Sequence, residues 1–167
     1  YVYDGKLNVF PHFSNTIFSI TPDSTTQRYH FYFGDYHFPD DEIFQKKEYN
    51  SQAIMSEIMN NSYVRLMAPY ETDEHLLVKY YVKRQVLLGI YNKKKHTAIN
   101  LDPEMVIDSL HLGTFPVPIG FNHNEFIGQL TLDIQQKNRI MIPELQKLMA
   151  DYSEDSNPIL IFYSLRS

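Results

Sequence analysis

Short runs of alternating apolar and polar residues, broken every ten residues or so by polar or proline-containing turns, run along most of this chain and predict strands. Lys6–Phe10 (KLNVF), Asn15–Thr21 (NTIFSIT) and Gln27–Phe33 (QRYHFYF) form a first series. Within it, Ile17, Ser19 and Thr21 oppose Thr16, Phe18 and Ile20, and Tyr29, Phe31 and Phe33 share a face. Asp4-Gly5 joins YVY to KLNVF as a hairpin turn, and Pro22-Asp23 marks the next reversal. A second series comprises Ser62–Pro69, His75–Lys83, Gln85–Asn92 and His96–Leu101. A third opens with Val117–Phe121 and Glu125–Leu132, and the chain finishes on one more strand, Pro158–Leu165.

Between the series the period changes. Pro39 to Asn61 begins with a charged stretch, then places Ile54 with Ile58 and Met55 with Met59 at helical spacing behind Ser51 as a candidate N-cap. Asp102 to Gly113 reads as an irregular connection. Asp133–Asn138 and Pro143–Asp151 read as helical or irregular, with Pro143 suited to a first turn and Leu145, Leu148 and Met149 forming a stripe. The expectation is an all-β chain of three antiparallel modules, 1–38, 62–101 and 115–167, joined by 39–61 and 102–114. A module of roughly 40–50 residues is typical of a propeller blade; a sandwich predicts the pattern almost as well.

Composition narrows the classes. The 167 residues suit one domain or a piece of a larger one, and a 43% apolar content is enough for a core. The absence of cysteine excludes disulfides, thiolate metal sites and a cysteine nucleophile. A formal net charge of -5 gives no global field toward nucleic acid or an anionic membrane, and no run approaches the length of a membrane-spanning helix. Thirteen tyrosines and eleven phenylalanines fit pleated, half-buried surfaces. The text opens in mid-pattern at Tyr1 and reads as an excerpt.

No residue is nominated as catalytic, cofactor-binding or metal-ligating, and the ligand-binding residues stay unassigned. His12, His30, His37, His75, His96, His111 and His123 lack the paired helical spacing of a metal site. Asp40, Asp41 and Glu42 fit a solvated loop or helix start, and Asp151, Glu154 and Asp155 lack the calcium-loop pattern. Lys93-Lys94-Lys95, with Lys83 and Arg84 one hairpin away, fits a solvated hairpin tip. Phe10, Phe13, Phe115 and Phe121 fit packing between sheets better than a sugar-binding mouth.

The phrases YDGKLNVFPHFSNTIFSIT, QRYHFYFGDYHFP, LLVKYYVKRQVLLGIYNKKKHTAINL, PVPIGFNHNEFIGQL and EDSNPILIFYSLR together resemble the C-terminal half of six-bladed β-propeller proteins of unknown function common in Bacteroidetes, related in architecture to NHL and TolB-like propellers. Ser156 stands where that pattern often has an acidic residue before Asn-Pro. The resemblance implies an exported, often lipid-anchored protein facing the periplasm or the cell surface. It implies a non-enzymatic binding or scaffold module with a protein or glycan partner; the alternative is a hydrolase or lyase with its site at the central channel. Two or more of His12, His75 and His123 converging with a carboxylate would favour the enzyme. Six blades need about 240–300 residues. The expectation is therefore self-association or a partnership with blades upstream of this chain.

Overall fold

The structure is a computed structural model that describes residues 1–11, 14–37, 50–103, 115–130, 143–150, 153 and 157–165. The described strands form three antiparallel sheets, accompanied by two α-helices and one 3-10 turn at Gly34–Tyr36. The expected Asp133–Asn138 element lies outside the described residues, as do His12, Phe13 and Asp40–Glu42. Chain contacts divide the molecule into two units, Tyr1–Pro69 with Val78–Leu87, and Tyr70–Leu77 with Leu88–Ser167.

The first sheet is a meander of β1 (Val2–Tyr3), β2 (Lys6–Val9), β3 (Thr16–Ile20) and β4 (Thr25–His30) in chain order. Asp4 and Gly5 both take left-handed backbone angles, as a two-residue hairpin turn requires. Alternation along β3 buries Ile17 and Ser19 on one face and leaves Phe18 and Ile20 half-buried on the other. β4 begins and ends earlier than the aromatic run Gln27–Phe33 predicts. Asn15 lies just before β3 and its carbonyl accepts from the Phe31 N–H at 2.9 Å, after which the chain turns into the 3-10 segment. Phe33 leaves the sheet to set its ring against Tyr80, 5.1 Å between centroids. The buried Asn8 is satisfied by Arg28, whose Nη1 donates to its Oδ1 at 2.7 Å while the guanidinium lies over Tyr3 and Tyr29.

Helix α1 (Ser51–Asn61) buries Ile54. Its cap is Asn50 rather than the predicted Ser51: Asn50 Oδ1 accepts the backbone N–H of Gln52 and Ala53 at 3.1 and 2.9 Å. Either side chain can satisfy two orphan amides, and the helix simply starts one residue earlier than its apolar pattern.

The second sheet is a meander of β5 (Arg65–Glu71), β6 (His75–Val82), β7 (Gln85–Asn92) and β8 (Thr97–Leu101). β5 is displaced toward its C-terminus from the expected Ser62–Pro69, because Ser62 has a left-handed backbone and closes the helix instead. His75 to Val78 are buried without interruption, so both faces of β6 are packed. Lys83 and Arg84, at φ 49° and 65°, form the β6–β7 turn without glycine.

The third sheet has order β11-β10-β9, with β9 (Pro118–Phe121), β10 (Phe126–Leu130) and the terminal β11 (Ile159–Tyr163); α2 (Pro143–Ala150) lies between β10 and β11 in sequence. β11 thus finds its partner in β10, with Phe126 opposite Tyr163 and Leu130 opposite Ile159. Leu77, Leu88, Ile90 and Phe126 form a buried cluster, flanked by Tyr70, Phe115, Phe121 and Tyr163. Phe115 and Phe121 are therefore packing residues. Tyr163 Oη donates to the Pro116 carbonyl at 2.7 Å, and burial pushes its phenol far above the usual range.

Candidate functional site

Three hairpin turns of the second unit carry polar side chains joined by hydrogen bonds and one ion pair. They are the β5–β6 turn (Thr72–Glu74), the β7–β8 turn (Lys93–His96) and the β9–β10 turn (Asn122–Glu125). Strand β5 runs on through Glu71, whose side chain is fully buried. Lys93, the first residue after β7, turns inward so that its Nζ lies 2.6 Å from Glu71 Oε1 and donates to the Thr72 carbonyl at 2.6 Å. A buried carboxylate needs such a partner, since desolvating it alone costs several kcal/mol.

The neighbouring bonds fix orientation. Thr72 N–H donates to the His75 carbonyl, and the His75 N–H returns to Thr72 Oγ1, closing the turn. Asn92 Oδ1 accepts the backbone N–H of Lys94 and Lys95 at 3.0 and 2.8 Å, which points its Nδ2 at His75 Nε2, 3.1 Å away. His75 Nε2 is thus the acceptor and carries no proton. Burial pushes the His75 pKa down, with a smaller downward push from Lys93 opposed by Glu74. Asn122 repeats the device in the β9–β10 turn, its Oδ1 accepting from Asn124 and Glu125 N–H.

The exposed rim consists of Asp73, Glu74 and His123. The Asp73 N–H donates to the His123 carbonyl at 2.8 Å, and the two side chains stand 4.0 Å apart in solvent. Of the three histidines whose convergence would favour catalysis, His12 lies outside the described residues. His75 spends its Nε2 on Asn92, and His123 is solvated. His30 and His37 lie in the other unit, with Thr16 and Asn15 as their hydrogen-bond partners, and His96 bonds Tyr91. His111, Asp151, Glu154 and Asp155 are outside the described residues.

No group of three or more metal-ligating side chains occurs among the described residues, and no described helix is long and apolar enough to cross a membrane. The lysine run is corrected in one member: Lys94 and Lys95 are exposed, whereas Lys93 serves the buried carboxylate. Glu71 heads the run Glu71-Thr72-Asp73-Glu74, whose composition is that of a solvated turn. Alternation along β5 does not single it out, for Glu71 shares its parity with the half-buried Arg65 as well as the buried Pro69, while the buried Leu66 has the other.

No functionally curated protein matches the chain. Among solved structures, the fold is similar to that of a Bacteroides fragilis protein named as an inferred exported protein, with a TM-score of 0.79 and 18% identity. The similarity covers 99% of this chain and 49% of that one, so the chain spans about half the length of the protein it matches. A family model described as a domain of unknown function, DUF4934, matches residues 1–164, and the chain therefore belongs to that family.

Proposed function

We propose that the chain is one half of a six-bladed propeller-type ring that works as a non-enzymatic binding scaffold outside the bacterial cytoplasm, at the cell envelope. The observation that carries this reading is the succession of three antiparallel meanders, the first two four-stranded and in chain order, as propeller blades are built. With 99% of 167 residues amounting to 49% of the similar Bacteroides chain, that chain has about 340 residues. A length of that order accommodates six blades, three in each half. The name of that protein supports export.

Two sheet faces favour further sheets as neighbours. On the first sheet, Val2 and Leu7 pair across strands with apolar side chains in solvent. On the third, Leu160 and Phe162 of β11 are exposed, as is Ile119 of β9. Such faces in a soluble protein mark contact surfaces. A second copy of the chain, or an upstream half, would cover them.

Binding is favoured over turnover because Glu71, Lys93 and His75 are committed to holding turns, while the rim they support is polar and solvated. The test is incubation of the protein with panels of neutral and acidic oligosaccharides and of peptides, followed by mass spectrometry of the bound and free ligand. The expected result is a retained ligand of unchanged mass. A cleaved or eliminated product would overturn the reading in favour of a hydrolase or lyase.

A further inference from the structure

A cavity of about 180 Å³ opens in the first unit, lined by Met59, Ser62, Tyr63, Tyr81, Lys83 and Arg84. Its volume exceeds that of an engineered cavity known to admit benzene, so a single six-membered ring fits. The lining holds two tyrosines, a hydroxyl and two cations, with no carboxylate among the six. Arg65 adds a third cation, its guanidinium 5.6 Å from the Tyr81 ring centroid, and Lys83 Nζ lies 4.2 Å from the Tyr36 centroid. In a chain of net charge -5 this is a local reversal of sign.

The backbone supplies an independent observation. Five non-glycine described residues take left-handed angles; Ser62 (φ 58°) does so in closing α1, and two others, Lys83 (φ 49°) and Arg84 (φ 65°), are adjacent in the lining of this cavity. The β1–β2 hairpin uses Asp4-Gly5, whose residues suit such angles. At the β6–β7 hairpin the same geometry is imposed on two long cations, of which Lys83 sets its ammonium over the Tyr36 ring. Strain of this kind persists where the position must carry a particular side chain.

We propose that this cavity is a binding site for a carboxylate or sulfate carried on a single six-membered ring, with Arg84 and Lys83 holding the anion and Tyr63 and Tyr81 the ring. Guanidinium and ammonium groups recognise such anions by charge-assisted hydrogen bonds, and tyrosine offers a flat apolar face with a polar edge. The proposal rests on the binding-scaffold reading and gives it a ligand class.

The experiment is calorimetric titration, with NMR shift mapping, of the intact chain against glucuronate and 4-hydroxybenzoate, with glucose and phenol as neutral counterparts. Arg84→Asn and Lys83→Asn remove charge while keeping a residue that tolerates left-handed angles, and thermal melting checks that both variants fold. At least one acid is expected to bind, with shifts confined to the cavity residues, at least tenfold more tightly than its neutral counterpart, and to weaken at least tenfold in Arg84→Asn. The preferred acid tells a sugar ligand from an aromatic one. Absence of binding by both acids, equal binding of the neutral compounds, or affinity indifferent to both substitutions would overturn the site. Binding of an oligosaccharide or peptide elsewhere would then leave the scaffold reading standing. Chemical conversion of a bound probe would overturn the scaffold reading while leaving the site.

Discussion

Replacing Lys93 by Met should destabilise the protein far more than a change at a lysine-rich turn ordinarily does. The Glu71 side chain is wholly buried, while Lys93 keeps 18% of its side chain in solvent. The two partners are thus unequal: stripped of Lys93 the carboxylate has no route to water, whereas stripped of Glu71 the ammonium can still reach it and still donate to the Thr72 carbonyl. Removing the ammonium from a buried pair while its carboxylate stays out of water costs about 3–5 kcal/mol. Losing a charge-assisted bond from a group that can rehydrate, as in Glu71→Gln, should cost about 1–2 kcal/mol, at or below the usual range for hydrogen bonds to charged groups. In a chain of this size Lys93→Met should lower the Tm by roughly 6–20 °C. The double variant also removes the buried charge and should recover at least about 2 kcal/mol relative to additivity. Urea melts of the four proteins followed by circular dichroism complete the cycle. A loss in Lys93→Met smaller than that in Glu71→Gln would refute the argument.

Arg84→Gly should raise stability by about 1 kcal/mol, since an L-residue pays about 1–2 kcal/mol for left-handed angles that glycine adopts freely; a lower urea midpoint would count against it. Gly128→Ala should cost about 1–3 kcal/mol, because the new Cβ would lie 2.8 Å from Pro116 Cβ and 3.2 Å from Tyr163 Cε1. Gly120→Ala, whose nearest neighbour is Ile127 Cδ1 at 3.7 Å, should be milder, and equal losses would contradict the packing described. Burial lowers the His75 pKa in the folded state, so above the unfolded value of about 6.5 its contribution is complete. As pH falls from there toward the lowered folded value, the unfolded chain binds the proton first and stability is lost. His75→Gln should flatten that part of the pH–stability profile relative to the parent, and an unchanged slope would show that His75 does not titrate this way. Asn50→Ala should cost about 1 kcal/mol through α1, with Ser51→Ala costing less.

Local chemistry made the hairpins readable. Asp4-Gly5 can do little else than turn, and β7 runs from Gln85 to Asn92, where alternation and polar flanks both mark it. Where two residues are chemically equivalent, as Asn50 and Ser51 are for capping, the outcome depends on where the helix is anchored by packing. The Glu71–Lys93 pair stayed hidden because each lies at the edge of a polar run that resembles a solvated turn. Its members are 22 positions apart and meet only through the register of β5, β6 and β7. The cavity was equally illegible, for it depends on left-handed angles at Lys83 and Arg84 that their residue types argue against.

The half-ring reading is tested most directly by the solution mass of the chain, measured by light scattering coupled to size exclusion at two concentrations. The apolar faces of the first and third sheets predict a dimer of twice the 19.7 kDa monomer mass that dissociates on dilution. A mass of 19.7 kDa at both concentrations would contradict it, since those faces would then need no partner.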